Sequence, residues 1–247
     1  MSSLLATIII VATLGTAFLS SIFGMVGGLI LMGILASILP IPQAMVLHGI
    51  IQLTSNGYRA YLNKSDICWP VLGGFIIGGV LSMGLLTLII YTPDKIMVMF
   101  ILGALPFIAA AVPKRMALDI TKPYMSFVAG FIVVLTNLLA GIGGPLLDIF
   151  FQRTPLTRHQ VVATKAIGQS IGHSSKIIFY GGLAFSNLPH PGFILICLAI
   201  SVLGTTLGKR ILDRMEDQQF FKWTNRIVLT VGAFFLLRAI ALSMGQA

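Results

Sequence analysis

LLATIIIVATLGTAFLSSIFGMVGGLILMGILASIL, residues 4–39, contains no charged residue, yet it is too long to cross a membrane once as a single helix. At ~1.5 Å per residue it would reach roughly 54 Å, against a hydrocarbon core of about 30 Å. The run is interrupted by GMVGG at 24–28, where glycine lets the backbone turn tightly. It therefore reads as a hairpin: a crossing helix over 4–23, a glycine tip, and a returning arm over 29–39 of only about 16 Å. Residues 123–153 follow the same plan, with a helix over 123–140, the tip GIGGP at 141–145, and an arm over 146–153 of about 12 Å.

The rest of the 247-residue chain fits a membrane setting, being 57% hydrophobic and only 9% charged. A soluble domain of this size needs far more charged surface. The alternation of a membrane β-barrel is absent, so the expected class is an all-α, multi-pass membrane protein. Further apolar segments lie at 43–62, 67–92, 94–112, 157–180, 191–212 and 220–244. The first segment lacks a basic leader and is expected to be a retained span.

The net charge of +9 sits in short loops, which is the pattern of membrane topology and not of a nucleic-acid groove. If each hairpin returns to the side it entered from, Arg59, Lys64, Lys114, Arg115, Lys122, Arg153, Arg158 and the basic residues of 209–226 share one face. Lys95 and Arg238 oppose them. The basic face is then cytoplasmic, both termini lie outside, and the hairpins enter from opposite faces.

The two halves align without a gap over residues 24–59 at an offset of 117. Identities fall at Gly24/Gly141, Gly27/Gly144, Leu29/Leu146, Gln43/Gln160, Ile50/Ile167 and Gln52/Gln169. The expected organisation is two inverted repeats, residues 1–113 and 123–247, joined by a cytoplasmic linker at 114–122. Each repeat has a Gly-tipped hairpin followed by three transmembrane helices.

At the same offset KAIGQSIGHSSK (165–176) overlays HGIIQLTSNGYR (48–59). His48, Gln52, Asn56 and Arg59 fall on Lys165, Gln169, His173 and Lys176, at steps that form one helical face in each copy. Polar stripes in a membrane face the bundle interior or a cavity, so they outline either a substrate pathway or a structural polar network. Gln52 and Gln169 are uncharged donors suited to an anion. Lys165 would attract an anion at depth or pair with Asp148, the one acidic residue inside an apolar segment and the candidate coupling residue. His173 could titrate during transport or sit satisfied in the core. Arg59 and Lys176, close to helix ends, are expected to snorkel to the interface.

The tips supply the rest of a candidate site. Gly24, Gly27, Gly28, Gly141, Gly143 and Gly144 leave backbone N–H groups free, and each returning arm points its helix N-terminus at the tip. Two tips meeting near the midplane would make an anion-binding centre; close packing of small residues is the competing reading. GGFIIG (73–78) and GTTLG (204–208) read as packing surfaces alone.

No metal-ligand pattern occurs, no cofactor is called for, and Cys68 and Cys197 read as apolar fillers. Intramembrane aspartyl chemistry would need two carboxylates at depth, so an enzyme is not expected.

The glycine-rich hairpin, the following proline (Pro40, Pro155) and the polar helix with a central glutamine, all present twice, resemble the TauE/SafE family of membrane anion carriers. The resemblance covers about 4–244 and implies transport of a small sulfur-containing anion such as sulfite, thiosulfate or a sulfonate. The leading expectation is a carrier working by alternating access around the paired tips, coupled to protons or to the membrane potential, in the inner cell membrane, with a homodimer as one assembly. A channel-like anion pore and a non-transporting membrane scaffold are the alternatives.

Overall fold

A computed structural model describes residues 2–23, 26–89, 92–113, 118–151, 153–212 and 217–245, with backbone alone at 158, 212, 217–222, 224 and 225. Gly24 of the first tip and residues 114–117 of the linker fall outside them. The described residues form α1 (Ser3–Phe23), α2 (Val26–Ile38), α3 (Ile41–Leu62), α4 (Trp69–Ile89) and α5 (Lys95–Ala111) in the first half. The second half contains α6 (Pro123–Ala140), α7 (Gly144–Phe150), α8 (Arg158–Ala184), α9 (Pro191–Leu212) and α10 (Asp217–Ser243). There is no strand among the described residues.

Local chemistry explains the boundaries. Proline stands in the first turn of α3 and α6, where its missing N–H costs nothing. Asp94 caps α5 by accepting the Met97 N–H at 2.7 Å. Thr157 and Gln160 form a reciprocal capping box at the start of α8, at 3.3 and 3.0 Å. Helix α6 ends at Gly141, whose φ of 78° is a left-handed conformation open to glycine, and its N–H returns to Asn137 O at 2.8 Å. The helices after the two glycine segments are short: α2 has 13 residues and α7 only seven, too few to reach across ~30 Å of hydrocarbon.

Among the described residues five helices are long and apolar enough to span a membrane: α1, α4, α6, α9 (Pro191–Ile211) and the Arg226–Ser243 part of α10. Their outer faces carry exposed apolar side chains, among them Val11, Ile77, Val80, Leu195 and Leu237, as a lipid-facing surface requires. Helices α3 and α8 are long but more polar, and they lie at the centre, where His48, Gln52, Asn56, Gln169, His173 and Lys176 are buried.

Helix pairing is reciprocal between the halves. Helix α4 packs on α6, α9 packs on α1, α3 on α8 and α5 on α10. Glycine sets the closest approaches. A Cβ at Gly78 would strike the Phe127 carbonyl, and one at Gly130 the Phe75 carbonyl, so α4 and α6 meet backbone to backbone. Gly204 and Gly208 do the same against the Leu14 and Phe18 carbonyls of α1. Both stretches read as packing surfaces in the sequence, 73–78 and 204–208, therefore serve that end.

This packing gives a direct test. Gly78→Val should lose roughly 1–3 kcal/mol or more through overpacking, read as a several-fold drop in monodisperse protein after extraction. Gly84→Ala, in the same helix but with open space at its Cβ position, should leave the yield unchanged.

Candidate functional site

Helices α3 and α8 run antiparallel. His48 in the first half of α3 meets Lys176 in the second half of α8, whereas Cys68, just beyond α3, donates its N–H to Thr164 Oγ1 early in α8 at 2.9 Å. Gly49 lets the helices close, facing Ile177 and the His173 carbonyl. The polar stripes thereby confront each other instead of lying on separate surfaces.

Between them is a small cavity that reaches the hairpin glycines. From the stripes it is lined by His48, Gln52, Asn56, Gln169 and His173. From the tips it is lined by Gly28, Gly143 and Gly144, with Ile142 and Pro145 beside them. Eight of the residues singled out from sequence thus share one chamber. Neither glutamine amide has a hydrogen-bond partner within the protein among the described residues, and both reach the chamber. A Cβ at Gly28 would lie 2.9 Å from Gln52 Nε2, so glycine there makes room for that amide.

The deepest contacts tie the two tips together. His48 Nε2 lies 2.9 Å from Gly28 O, and a carbonyl only accepts, so Nε2 donates. The other ring nitrogen, Nδ1, is then free to accept from Lys176 Nζ at 2.6 Å. Lys176 also donates to Gly141 O at 2.8 Å. One hydrogen-bonded chain therefore runs from the first hairpin through α3 and α8 to the second. His173 packs edge-on to His48 with ring centroids 5.4 Å apart, and its Nδ1 is buried without a partner among the described residues.

On α3, Asn56 Nδ2 donates to Gln52 O at 2.9 Å, and Arg59 Nη2 donates to Asn56 Oδ1 at 2.6 Å. The snorkelling expected of Arg59 and Lys176 is thus corrected. Lys176 is fully buried, because α8 continues to Ala184 and carries it about two turns from the helix end. Arg59 is near the end of α3 but turns inward, with Nε buried.

Other expectations land elsewhere. Lys165 forms an ion pair with Asp148, tying α7 to α8, and neither residue lines the chamber. Gly27 packs against the Thr16 carbonyl of α1, so its role is close helix contact. The dipole expected of the second arm is weak, since α7 has barely two turns.

Sequence reasoning missed Ser20 of α1 and Asn137 of α6, which complete the wall. Asn137 rests its amide on Gly172 of α8, and its Oδ1 is buried without a partner among the described residues. The signal was present: Ser20 and Asn137 are themselves separated by 117, four residues upstream of the aligned window.

Among the described residues no group of His, Cys, Asp or Glu could hold a metal ion. The chamber offers amides, imidazoles, backbone and nearby cations, with no carboxylate in its lining. Such a set can bind and release an anion.

Neither a curated protein nor a solved structure matches the chain. A family model described as sulfite exporter TauE/SafE does, over residues 8–236, from the second turn of the first helix into the last helix. A match over nearly the whole chain, on a multi-pass helical bundle with an anion-suited chamber, places this protein in the sulfite exporter TauE/SafE family.

Proposed function

We propose that the chain is a secondary carrier for a small sulfur-containing oxyanion such as sulfite, thiosulfate or a sulfonate, bound in the chamber between α3 and α8. The family is one of membrane sulfur-anion exporters and not of enzymes. The observation that carries the finer reading is the pair of glutamines. Gln52 and Gln169 come from corresponding positions of the two halves and meet in one cavity with both amides uncommitted among the described residues. A structural polar network would have used them on each other or on backbone, as it uses Asn56 and His48.

An inverted repeat of residues 1–113 and 123–247 underlies this reading, with the hairpins α1–α2 and α6–α7 entering from opposite faces. Its support is the reciprocal packing of α1 on α9 and α6 on α4, and the matching of Ser20 with Asn137 across the chamber. The bulk of the basic loops then faces the cytoplasm of a cell whose inner membrane holds the protein. Alternating access would expose the chamber to one side at a time as the halves rock about the α3–α8 contact.

Purified protein in liposomes should take up labelled sulfite or thiosulfate with saturable kinetics. Absence of both flux and binding for every sulfur oxyanion would overturn the substrate class, and a non-saturating, uncoupled flux would turn the carrier into a channel.

Gln52→Ala and Gln169→Ala each remove a hydrogen bond to a charged ligand, worth about 1.5–3 kcal/mol. Each should therefore raise the KM for sulfite roughly tenfold or more. Neither should alter yield, because neither amide holds the fold together. Wild-type KM in both variants would remove the stripe from the binding site.

A further inference from the structure

The formal charge of the chamber's surroundings is positive, and nothing described in the protein cancels it. Lys176 is fully buried and Arg59 has a buried Nε without a partner. The carboxylates among the described side chains are spent elsewhere. Asp148 is with Lys165, Asp94 caps α5, Asp119 accepts from Thr121 and Asp66 accepts from Ser65. Burying a cation without a counterion is costly, so a fully buried Lys176 and a half-buried Arg59 beside one cavity call for an explanation.

Their arrangement supplies one. Arg59 and Lys176 occupy the same place in the two halves, 117 residues apart. Because α3 and α8 are antiparallel, they sit at opposite ends of the chamber. Neither lines it, and each acts through a neighbour that does. Lys176 donates to Nδ1 of His48, while Arg59 donates to Oδ1 of Asn56. Both relay groups face the chamber.

We propose that Arg59 and Lys176 are paired positioning charges that make the site selective for a dianion over a monoanion. This rests on the carrier reading above and specifies its ligand by charge. A dianion between the two ends neutralises both cations, whereas a monoanion leaves one uncompensated in a low-dielectric setting. Lys176, donating to the unprotonated His48 nitrogen and to Gly141 O, is held in place as it does so. Arg59 is held by Asn56.

Thiosulfate, a dianion, and methanesulfonate, a monoanion, are suitable probes for competition against labelled sulfite on the full chain. The wild type should favour thiosulfate. Arg59→Gln should compress the thiosulfate-to-methanesulfonate affinity ratio roughly tenfold, the scale of one partly screened unit charge at this range. Arg59→Lys should restore it. Structural damage alone would weaken both probes together and leave the ratio intact. Lys176→Met should compress the ratio too, but the Arg59 variants decide the matter should that protein fail to fold. An unchanged ratio in Arg59→Gln, with sulfite still bound, overturns the charge assignment and leaves the carrier reading standing. A wild type that binds none of the three anions overturns both.

Discussion

The hydrogen bond from Lys176 to His48 is the interaction on which the interior depends. It places an ammonium group at the centre of an apolar bundle, where insertion of a lysine costs about 2.5–3.5 kcal/mol. The contact fixes the tautomer of His48, and that tautomer donates to the first hairpin through Gly28 O. The same ammonium reaches the second hairpin through Gly141 O. The short helix α2 and the end of α6 are thereby tied to the central helices, and Gly28, Gly143 and Gly144 become walls of one chamber.

Glycine enables the geometry in two ways. At Gly141 it allows the left-handed turn that ends α6 and presents its carbonyl to Lys176. At Gly78, Gly130, Gly204 and Gly208 it lets the flanking helices touch backbone to backbone. The pairs α4–α6 and α1–α9 join one half of the chain to the other, so tight packing lies between the halves and the chamber lies at their seam. In a membrane, where apolar surface gives no drive for helices to associate, such close contacts supply much of the cohesion.

Much of this was legible in the sequence because the signals were one-dimensional. Segment lengths against membrane thickness pointed to two short helices, and the observed α2 and α7 begin only a few residues earlier than expected. Helical spacing marked the stripes on α3 and α8, and the offset of 117 paired them. The failures are equally physical. Lys176 looked terminal because the apolar segment was expected to stop at 180, and four more helical residues put it at depth. Hydropathy cannot say whether a cation near a helix end reaches the interface or another helix. Ser20 and Asn137 share the offset of 117, but a single serine or asparagine in an apolar helix forms no stripe, and only packing brings the two to one chamber. Lys165 shared the spacing of its stripe but had Asp148 within reach from α7, and the ion pair took it out of the chamber wall.

The central claim is that an oxyanion rests between Gln52 and Gln169. Its most direct test is a crystal structure of the protein soaked with selenite, whose selenium is located by anomalous scattering. The account predicts a peak inside the chamber, with its oxygens at about 3 Å from both glutamine amides. A well-occupied peak elsewhere, with the chamber holding none, would contradict it.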